Sequence, residues 1–462
     1  MIVLYILLLF IQFTQSKQQE IKQIQFCSER HPIFLFHGII GSAINADLSL
    51  TNAKDLPEYC QIQGNDISLW ISPLSLVPKY KNCIPKYLQM EYDEQTQSMK
   101  NRDGVNTYYA TNTSVEGISN LTPNHKIFSS FVRVFADIVD HLEVMGYTDT
   151  DDLQAAAYDW RIIFQNNQWK KDLKQRIESI VKKTGKKVVF IGHSMGGLVI
   201  HDYLEEMKQS WIDRYIHKVI TISTPWNGSM KALRALMSGD NLGLSEYILS
   251  NQYFLNAIRS FESVYALLPK ETREMKDKII ITIDDKEYTI NQIIEEMKKM
   301  SEKELLPSYA KELLKYTKHT YFKRNREYQH LCIYGNGIET EHQLKYSSNL
   351  TLLSKQMKKE GDGTVELSSL KGCSLFDEEL TEMIEIENES HLNILENKIV
   401  IQRIQEEVCN SDEYNSDPLT LFEKIKLYFI HLKQSLSDSF YDLIQYINNL
   451  IGFEPNQNSI SS

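Results

Sequence analysis

The pentapeptide Gly192-His193-Ser194-Met195-Gly196 constrains the fold of this chain more than any other feature. It directly follows an apolar run at 188–191 and precedes another at 198–200. A G-x-S-x-G motif between a strand and a helix is typical of a nucleophile elbow, a turn so tight that only glycine is tolerated beside the serine. The alternative is a chance glycine-rich turn, and the strand directly before the motif argues against it. The pattern therefore predicts Ser194 as a nucleophile.

The pattern around the motif predicts an α/β-hydrolase fold with a mostly parallel central sheet. Short apolar strands alternate with helical segments, at 32–36, 127–146, 170–184, 188–191, 218–222 and 331–335. From 230 the rhythm changes to Glu- and Lys-rich sequence with helical periodicity, which predicts a helical cap over the sheet. The predicted organisation is a signal peptide at 1–16, a first part of the core at 17–229, a mostly helical cap insertion at 230–330, a second part of the core at 331–409, and a C-terminal extension at 410–462.

The first sixteen residues contain an apolar run and no charged side chain. Such a run suits a signal peptide, and an uncleaved anchor is the alternative. We therefore predict the secretory pathway, with an extracellular, lysosomal or vacuolar destination. Six cysteines follow this segment, and an even count in an oxidising compartment favours disulfides over reduced, buried thiols.

Charge and composition limit the partners of the chain. Its net charge is −11, and no long basic block is present, so a nucleic-acid partner is not predicted. Histidines and carboxylates are plentiful but show no zinc-type spacing, so we predict no metal and no cofactor. Apolar residues make up 42% and charged residues 24%, as in soluble globular proteins.

A serine nucleophile needs a base, and the base needs a carboxylate to hold its tautomer. In this fold the acid and the histidine follow the serine in that order. Asp362 lies in the tight Gly361–Val365 loop, and His391 precedes an apolar run. Taken alone, Asp362 could be a turn residue and His391 a surface histidine; chain order and loop context select this pair. The oxyanion hole should use the backbone N–H groups of Met195 and Ile39.

The C-terminal extension predicts one long amphipathic helix. It begins at Asp417-Pro418, and apolar residues recur every three or four positions as far as Gly452. Packing on the body or on a partner helix is the expected use. A membrane-surface role is the alternative, and the mixed charges of the polar face speak against it.

Nine motifs in order resemble the lecithin:cholesterol acyltransferase family, which includes the lysosomal phospholipase A2 enzymes. They are HGIIGS at 37–42, AAYDWR at 156–161, GHSMGG at 192–197, STPWNGS at 223–229, SGDN at 238–241, LLP at 267–269, CIYGNG at 332–337, GDGTV at 361–365 and SHLNIL at 390–395. Two positions depart from the family. His37 stands where members commonly have proline, and Ile39 where the phospholipases often have aspartate.

The resemblance implies Ser194 as nucleophile, Asp362 as acid and His391 as base, with oxyanion donors at Ile39 and Met195. It also implies a lid loop at 60–83, closed by a Cys60–Cys83 disulfide, and a second disulfide between Cys332 and Cys373. The expected lipid-contacting lid residues are Trp70, Ile71, Leu74 and Leu76, and the alternative is a core loop with an ordinary tryptophan. Cys27 and Cys409 remain, and we predict that they pair. We assign residues 157–161 of the AAYDWR motif a structural role near the pocket rather than a chemical one.

The expected activity is acyl transfer from a glycerophospholipid through an acyl-serine, at a phospholipid membrane or a lipoprotein-like surface. Water as acceptor makes the enzyme a phospholipase A, and a lipid alcohol makes it an O-acyltransferase. Two alternatives remain open, which are a hydrolase of soluble esters and a non-catalytic lipid-binding protein. Preference for vesicles over a short soluble ester would argue against the first alternative. Labelling by a serine-reactive probe would argue against the second.

Overall fold

A computed structural model describes most of the chain from 29 to 409. The described ranges are 29–51, 53–71, 82–109, 113–121, 133–163, 167–240, 250–272, 275–318 and 325–409. Several predicted features lie outside them, namely the signal peptide at 1–16, Cys27, Leu74, Leu76 and the C-terminal extension at 410–462.

The strands occur along the whole described chain. In chain order they are β1 Ile33–Phe36, β2 Ile44–Ser49, β3 Gln63–Trp70, β4 Met90–Asp93, β5 Ser98–Asn101, β6 Val105–Tyr109, β7 Leu153–Ala155, β8 Val188–His193, β9 Ile216–Ile222, β10 Ile281–Ile283, β11 Lys286–Tyr288, β12 His330–Asn336, β13 Thr340–Tyr346, β14 Leu352–Lys358 and β15 Thr381–Glu387.

Helices connect most of these strands. The α-helices are α1 Ile84–Leu88, α2 Glu116–Ser119, α3 Ala136–Val144, α4 Asn167–Thr184, α5 Met195–Glu205, α6 Gln209–Tyr215, α7 Met230–Ser238, α8 Leu255–Ile258, α9 Glu262–Ala266, α10 Ile290–Glu302, α11 Ala310–Leu313, α12 Leu367–Leu370 and α13 Lys398–Val408. Short 3-10 helices span Glu58–Cys60, Leu314–Lys318, Lys371–Leu375 and Asn393–Leu395. In the part of the chain that is described, no helix has both the length and the apolar character needed to cross a bilayer.

The central sheet has six strands in the order β15-β12-β9-β8-β1-β7, and every neighbouring pair is parallel. The predicted α/β-hydrolase class is thereby confirmed in its main element. From β1 the chain continues to β7 on one side and then returns to β8 on the other. This reversal is a topological switch point, the place where open α/β sheets commonly form their sites at the carboxyl ends of the strands.

Alternating side chains of the central strands fill two hydrophobic cores. In β1, Phe34 and Phe36 belong to the larger core, and Ile33 and Leu35 to the smaller one on the other face. The larger core includes α4 and α5, and the smaller includes α3 and α13. Because both faces are covered, β1 and the first four residues of β8 are apolar throughout, which is why they stand out in the sequence.

Two regions depart from the predicted organisation. Strands β2, β3 and β6 form a separate antiparallel sheet within the first part of the core. The predicted cap at 230–330 contains five α-helices in its described part, but also β10 and β11, which join β13 and β14 in a four-stranded sheet. This sheet extends past 330, because β10 pairs with β13 at 340–346. The mostly helical periodicity concealed these short strands.

Two disulfides join the pairs that the resemblance implied. Cys60 is bonded to Cys83, and Cys332 to Cys373. Cys409 is also disulfide-bonded, and its predicted partner Cys27 lies outside the described residues. The Cys332–Cys373 bond connects the central strand β12 to the segment that follows the Gly361–Val365 loop.

Removing the Cys332–Cys373 bond should lower the free energy of unfolding by about 2–4 kcal/mol, because the unfolded chain regains the freedom of a long loop. The variants Cys332→Ala, Cys373→Ala and the double variant are compared by urea unfolding monitored by circular dichroism. Either single change breaks the bond, so the double variant should lose little more than each single variant. Fully additive losses would show that the bond contributes little.

Candidate active site

The nucleophile candidate Ser194 lies in a strained turn between β8 and α5. Its backbone has φ 56° and ψ −128°, and its N–H donates to the carbonyl of Ile222 at 2.9 Å. A side chain at position 196 would overlap the carbonyl oxygen of Phe36, at the end of β1. Glycine there allows α5 to approach β1 closely. The side chain of Ser194 thus lies at the carboxyl edge of the sheet, beside the switch point.

The structure brings the predicted Ser194, Asp362 and His391 together, although 168 and 29 residues separate them in order. His391 Nε2 lies 3.0 Å from Ser194 Oγ, and His391 Nδ1 lies 2.7 Å from Asp362 Oδ2. Because a carboxylate only accepts, Nδ1 carries the proton and Nε2 presents its lone pair to the serine. This is the tautomer that a general base requires.

Backbone groups hold the carboxylate of Asp362 in this orientation. Asp362 is 1% exposed, and its Oδ1 accepts from the N–H groups of Thr364 at 3.0 Å and Val365 at 2.8 Å. Its own carbonyl accepts from the N–H of His391 at 2.8 Å. Backbone N–H groups therefore bind Oδ1, and Oδ2 is left to accept from the imidazole of His391.

His193 supports the base from the other side. It is buried, and its Nε2–H donates to the carbonyl of His391 at 2.7 Å. Burial, together with the nearby imidazole of His391, lowers the pKa of His193 to about 3, so the ring is neutral. This role was missed in the sequence, where His193 is only the variable second residue of the G-x-S-x-G motif.

The predicted oxyanion donors lie on the two segments that meet at the switch point. Among the described residues, no backbone acceptor takes the N–H of Ile39 or of Met195. Met195 is the first residue of α5, where an N–H has no partner within the helix. The loop of Ile39 borders the nucleophile, since a Cβ at Gly38 would lie 3.0 Å from Ser194 Cβ. Both donors are therefore available beside Ser194.

The AAYDWR motif supports the loop after β1, at residues 37–42. The Tyr158 hydroxyl donates to the carbonyl of His37, and Trp160 Nε1–H donates to the carbonyl of Ser42 at 3.1 Å. Arg161 is fully buried and forms an ion pair with Asp159 at 2.6 Å. These contacts are consistent with the structural role that we assigned to this motif.

Trp70 differs from its predicted position at a lipid surface. It is only 6% exposed, and its Nε1–H donates to the carbonyl of Ile40 at 2.8 Å. Its ring contacts those of Trp160 and Phe254, with centroids 5.8 and 5.9 Å apart. Ile71 is half-buried. In this conformation Trp70 is a core residue that contacts the Gly38–Gly41 loop, because its indole finds both an acceptor and an aromatic environment there.

The STPWNGS motif at 223–229 supports the acid loop, which is the Gly361–Val365 loop that contains Asp362. The sequence did not indicate this role. Ser229 Oγ donates to the carbonyl of Thr364 at 2.6 Å, across 135 residues of chain. Ser369 Oγ accepts from the N–H of Asn227 at 2.9 Å and donates to the carbonyl of Gly228 at 2.7 Å. Because these partners are distant in the chain, no local pattern could have identified them.

Within the described ranges, no group of three or more His, Cys, Asp or Glu side chains is arranged to hold a metal ion. The site itself offers side chains and backbone N–H groups to a substrate. They provide a hydroxyl, an imidazole with a fixed tautomer and two backbone N–H groups without a backbone acceptor, which are the groups that acyl transfer through a covalent intermediate uses.

Three comparisons with known proteins, by family model, by sequence and by structure, each give matches. The sequence model of the family described as lecithin:cholesterol acyltransferase matches residues 67–330. The lysosomal phospholipase A and acyltransferase of Mus musculus is 25% identical over 378 residues, covering 80% of this chain and 89% of that protein. The phosphatidylcholine-sterol acyltransferase of Mus musculus is 24% identical over 399 residues, covering 82% and 85%. Among solved structures, mature Bacillus licheniformis lipase BlEst2 aligns with a TM-score of 0.29 and 11% identity, covering 82% and 92%.

The buried histidines of the site should make folding sensitive to acid. Burial lowers the pKa of His37 to about 4 and, with the nearby His391, that of His193 to about 3, whereas an unfolded histidine has a pKa of about 6.5. Below pH ~6.5 the unfolded chain binds more protons, so the free energy of unfolding falls as the pH falls toward 4. Each ring should contribute about 1 kcal/mol per pH unit.

Urea unfolding at pH 7.5, 6.0 and 5.0 measures this dependence. His193→Gln keeps a donor at the end of the side chain but cannot titrate, so its stability should fall less steeply with acid than that of the wild type. An identical slope for the two proteins would show that His193 is not responsible.

Proposed function

The chain belongs to the lecithin:cholesterol acyltransferase family, and we propose that it takes a fatty acyl group from a glycerophospholipid through an acyl-serine at Ser194. The relatives named above are a phospholipase A and acyltransferase and a sterol acyltransferase. The coarser function, a lipid acyltransferase or phospholipase, follows from this family. The strongest support for the proposed mechanism is the continuous hydrogen-bonded chain from Ser194 through His391 to Asp362.

In the first half-reaction, Ser194 Oγ attacks the ester carbonyl while His391 Nε2 accepts the hydroxyl proton. The carbonyl oxygen becomes an oxyanion, and the N–H groups of Ile39 and Met195 stabilise it. Asp362 stabilises the imidazolium that forms. The intermediate then collapses, the ester C–O bond breaks, and His391 gives its proton to the departing lysolipid oxygen. The fatty acid remains esterified to Ser194.

In the second half-reaction, a hydroxyl group attacks the acyl-serine, and His391 accepts its proton. The C–O bond to Ser194 breaks, and the proton returns to Ser194 Oγ. Water as acceptor releases a free fatty acid, and a lipid alcohol gives a new ester. No metal or cofactor takes part in these steps. The partner we propose is a phospholipid membrane or a lipoprotein-like surface that holds both substrates.

We infer a place in the secretory pathway, either extracellular or in a lysosome or vacuole. Two disulfides between described cysteines are consistent with an oxidising compartment. The relatives include proteins named as lysosomal.

Replacing Ser194 with alanine should reduce acyl release by at least about 10³-fold, because the attacking oxygen is lost. The assay uses phosphatidylcholine vesicles that contain a sterol or another lipid alcohol, at pH ~5 and ~7.4. Free fatty acid as the main product would identify a phospholipase A, and esterified alcohol an acyltransferase. Product formation that persists in Ser194→Ala would contradict the mechanism.

The same preparation separates the other interpretations. A short soluble ester turned over faster than vesicles would indicate a soluble-ester hydrolase. Failure of a fluorophosphonate to label Ser194 in folded protein, with no acyl release, would indicate a lipid-binding protein without catalysis.

Replacing Asp362 with asparagine should lower kcat by about 10²–10⁴-fold. Oδ1 would keep its bonds to the N–H groups of Thr364 and Val365, so the amide NH₂ would face His391 and favour the wrong tautomer of the imidazole. Steady-state kinetics on vesicles measure the effect. Asp377→Asn, which changes an exposed carboxylate, should retain wild-type kcat. Equal rates for wild type and Asp362→Asn would contradict the assigned role of the carboxylate.

A further inference from the structure

The loop after β1 carries a buried histidine that the mechanism above does not use. His37 has no exposed surface, and its Nδ1 lies 2.9 Å from the carbonyl oxygen of Gly38. A carbonyl only accepts, so Nδ1 must carry the proton. The N–H of Gly41 donates to the same oxygen at 3.2 Å. The Gly38 carbonyl is therefore held by two donors.

The oxygen that His37 binds belongs to the same peptide group as the N–H of Ile39. In a trans peptide the C=O and the N–H are coplanar and point in opposite directions. Fixing the carbonyl of Gly38 therefore fixes the direction of the Ile39 N–H. The same loop borders the nucleophile, since a Cβ at Gly38 would lie 3.0 Å from Ser194 Cβ and 3.3 Å from its Oγ.

The imidazole itself is held rigidly. Its ring stacks on that of Tyr158, with centroids 4.1 Å apart and planes at 16°, and the Tyr158 hydroxyl donates to the His37 carbonyl. Its Nε2 is buried and has no hydrogen-bond partner among the described residues. Burial lowers the pKa of His37 to about 4, so the ring is neutral above that pH. The hydrogen bond from Nδ1 to the Gly38 carbonyl is thus made by a ring that is fixed in place and uncharged.

We propose that His37 is a positioning residue of the oxyanion hole, which orients the N–H of Ile39 toward the developing oxyanion by holding the Gly38 carbonyl. This inference rests on the proposed function of Ser194. Most of the other polar contacts on this loop hold neighbouring peptides. The carbonyl of His37 accepts from Tyr158, and that of Ile40 accepts from Trp70. Among side chains in the described chain, only His37 bonds the peptide that contains the donor.

Two substitutions distinguish the contribution of the Nδ1–H donor of His37 from that of its aromatic ring. His37→Phe keeps an aromatic ring to stack on Tyr158 but removes the donor. His37→Asn removes the ring, yet its amide nitrogen is attached to Cγ as Nδ1 is, so it can donate to the Gly38 carbonyl. A purely structural role predicts that phenylalanine is tolerated better than asparagine. A positioning role predicts the opposite order in kcat.

We expect His37→Phe to lower kcat on phosphatidylcholine vesicles by about 10–100-fold, because a misdirected donor loses much of its effect on the transition state. Its KM should stay within about twofold of the wild-type value, as should its binding to vesicles of a non-hydrolysable diether phosphatidylcholine. The rate of Ser194 modification by a fluorophosphonate should fall in parallel with kcat, since that reaction also places charge on an oxygen in the hole. His37→Asn should recover kcat to within about threefold of wild type.

Two results would overturn the inference, namely a wild-type kcat in His37→Phe, or a kcat in His37→Asn as low as in His37→Phe. Thermal unfolding of each variant identifies losses that come from misfolding. If His37→Phe does not fold, His37→Gln replaces it, because its amide lies one atom farther from the backbone and misses the Gly38 carbonyl. Wild-type protein without Ser194-dependent acyl release would overturn the proposed function itself. Normal wild-type activity with an unaffected His37→Phe would overturn the inference about His37 alone.

Discussion

The parallel pairing of β1 with β8 is the interaction on which the site depends. The two strands run side by side from Ile33 opposite Val189 to Phe36 opposite Gly192. At their carboxyl ends the chain continues into the Gly38–Gly41 loop on one strand and into Ser194 on the other. The proposed nucleophile Ser194 and the proposed oxyanion donor Ile39, which are far apart in the chain, thereby become neighbours. Glycine at 196 is the condition for this arrangement, because any side chain there would overlap the Phe36 carbonyl.

The acid and the base reach the same edge by a longer route. His391 follows β15 directly, but the second sheet, β13 and β14, intervenes between β12 and Asp362. An isolated bridge between Ile338 and Asp362 and the bonds from the STPWNGS segment bring the acid loop back to the end of β12. The Cys332–Cys373 disulfide closes the same region covalently. The carboxylate therefore depends on contacts from several distant segments rather than on its own strand.

Three histidines act at different distances from the proposed chemistry. His391 contacts Ser194, His193 holds the carbonyl of His391, and His37 holds the peptide that contains the Ile39 N–H. The last two are buried and neutral, which gives each ring one donor nitrogen of defined position. Burying a neutral imidazole costs stability in acid, where the unfolded chain binds protons more strongly. The buried rings therefore fix hydrogen-bond directions in the site, and they lower the stability of the fold at acid pH.

The amino-acid sequence by itself determined four of the six strands of the central sheet (β1, β8, β9 and β12), the elbow at Ser194, and the choice of Asp362 and His391 by their order along the chain. These features are visible because fully buried strands are continuous apolar runs, and because tight turns demand glycine locally. The motif resemblance also indicated the Cys60–Cys83 and Cys332–Cys373 pairs. Only the tertiary structure decided that Trp70 is buried against the Gly38–Gly41 loop, that the cap contributes strands to a second sheet, and that His37 and His193 hold groups of the site. Each of these depends on partners that folding brings together. Sequence periodicity shows which face of a helix or strand is buried, but not which distant residue a side chain contacts.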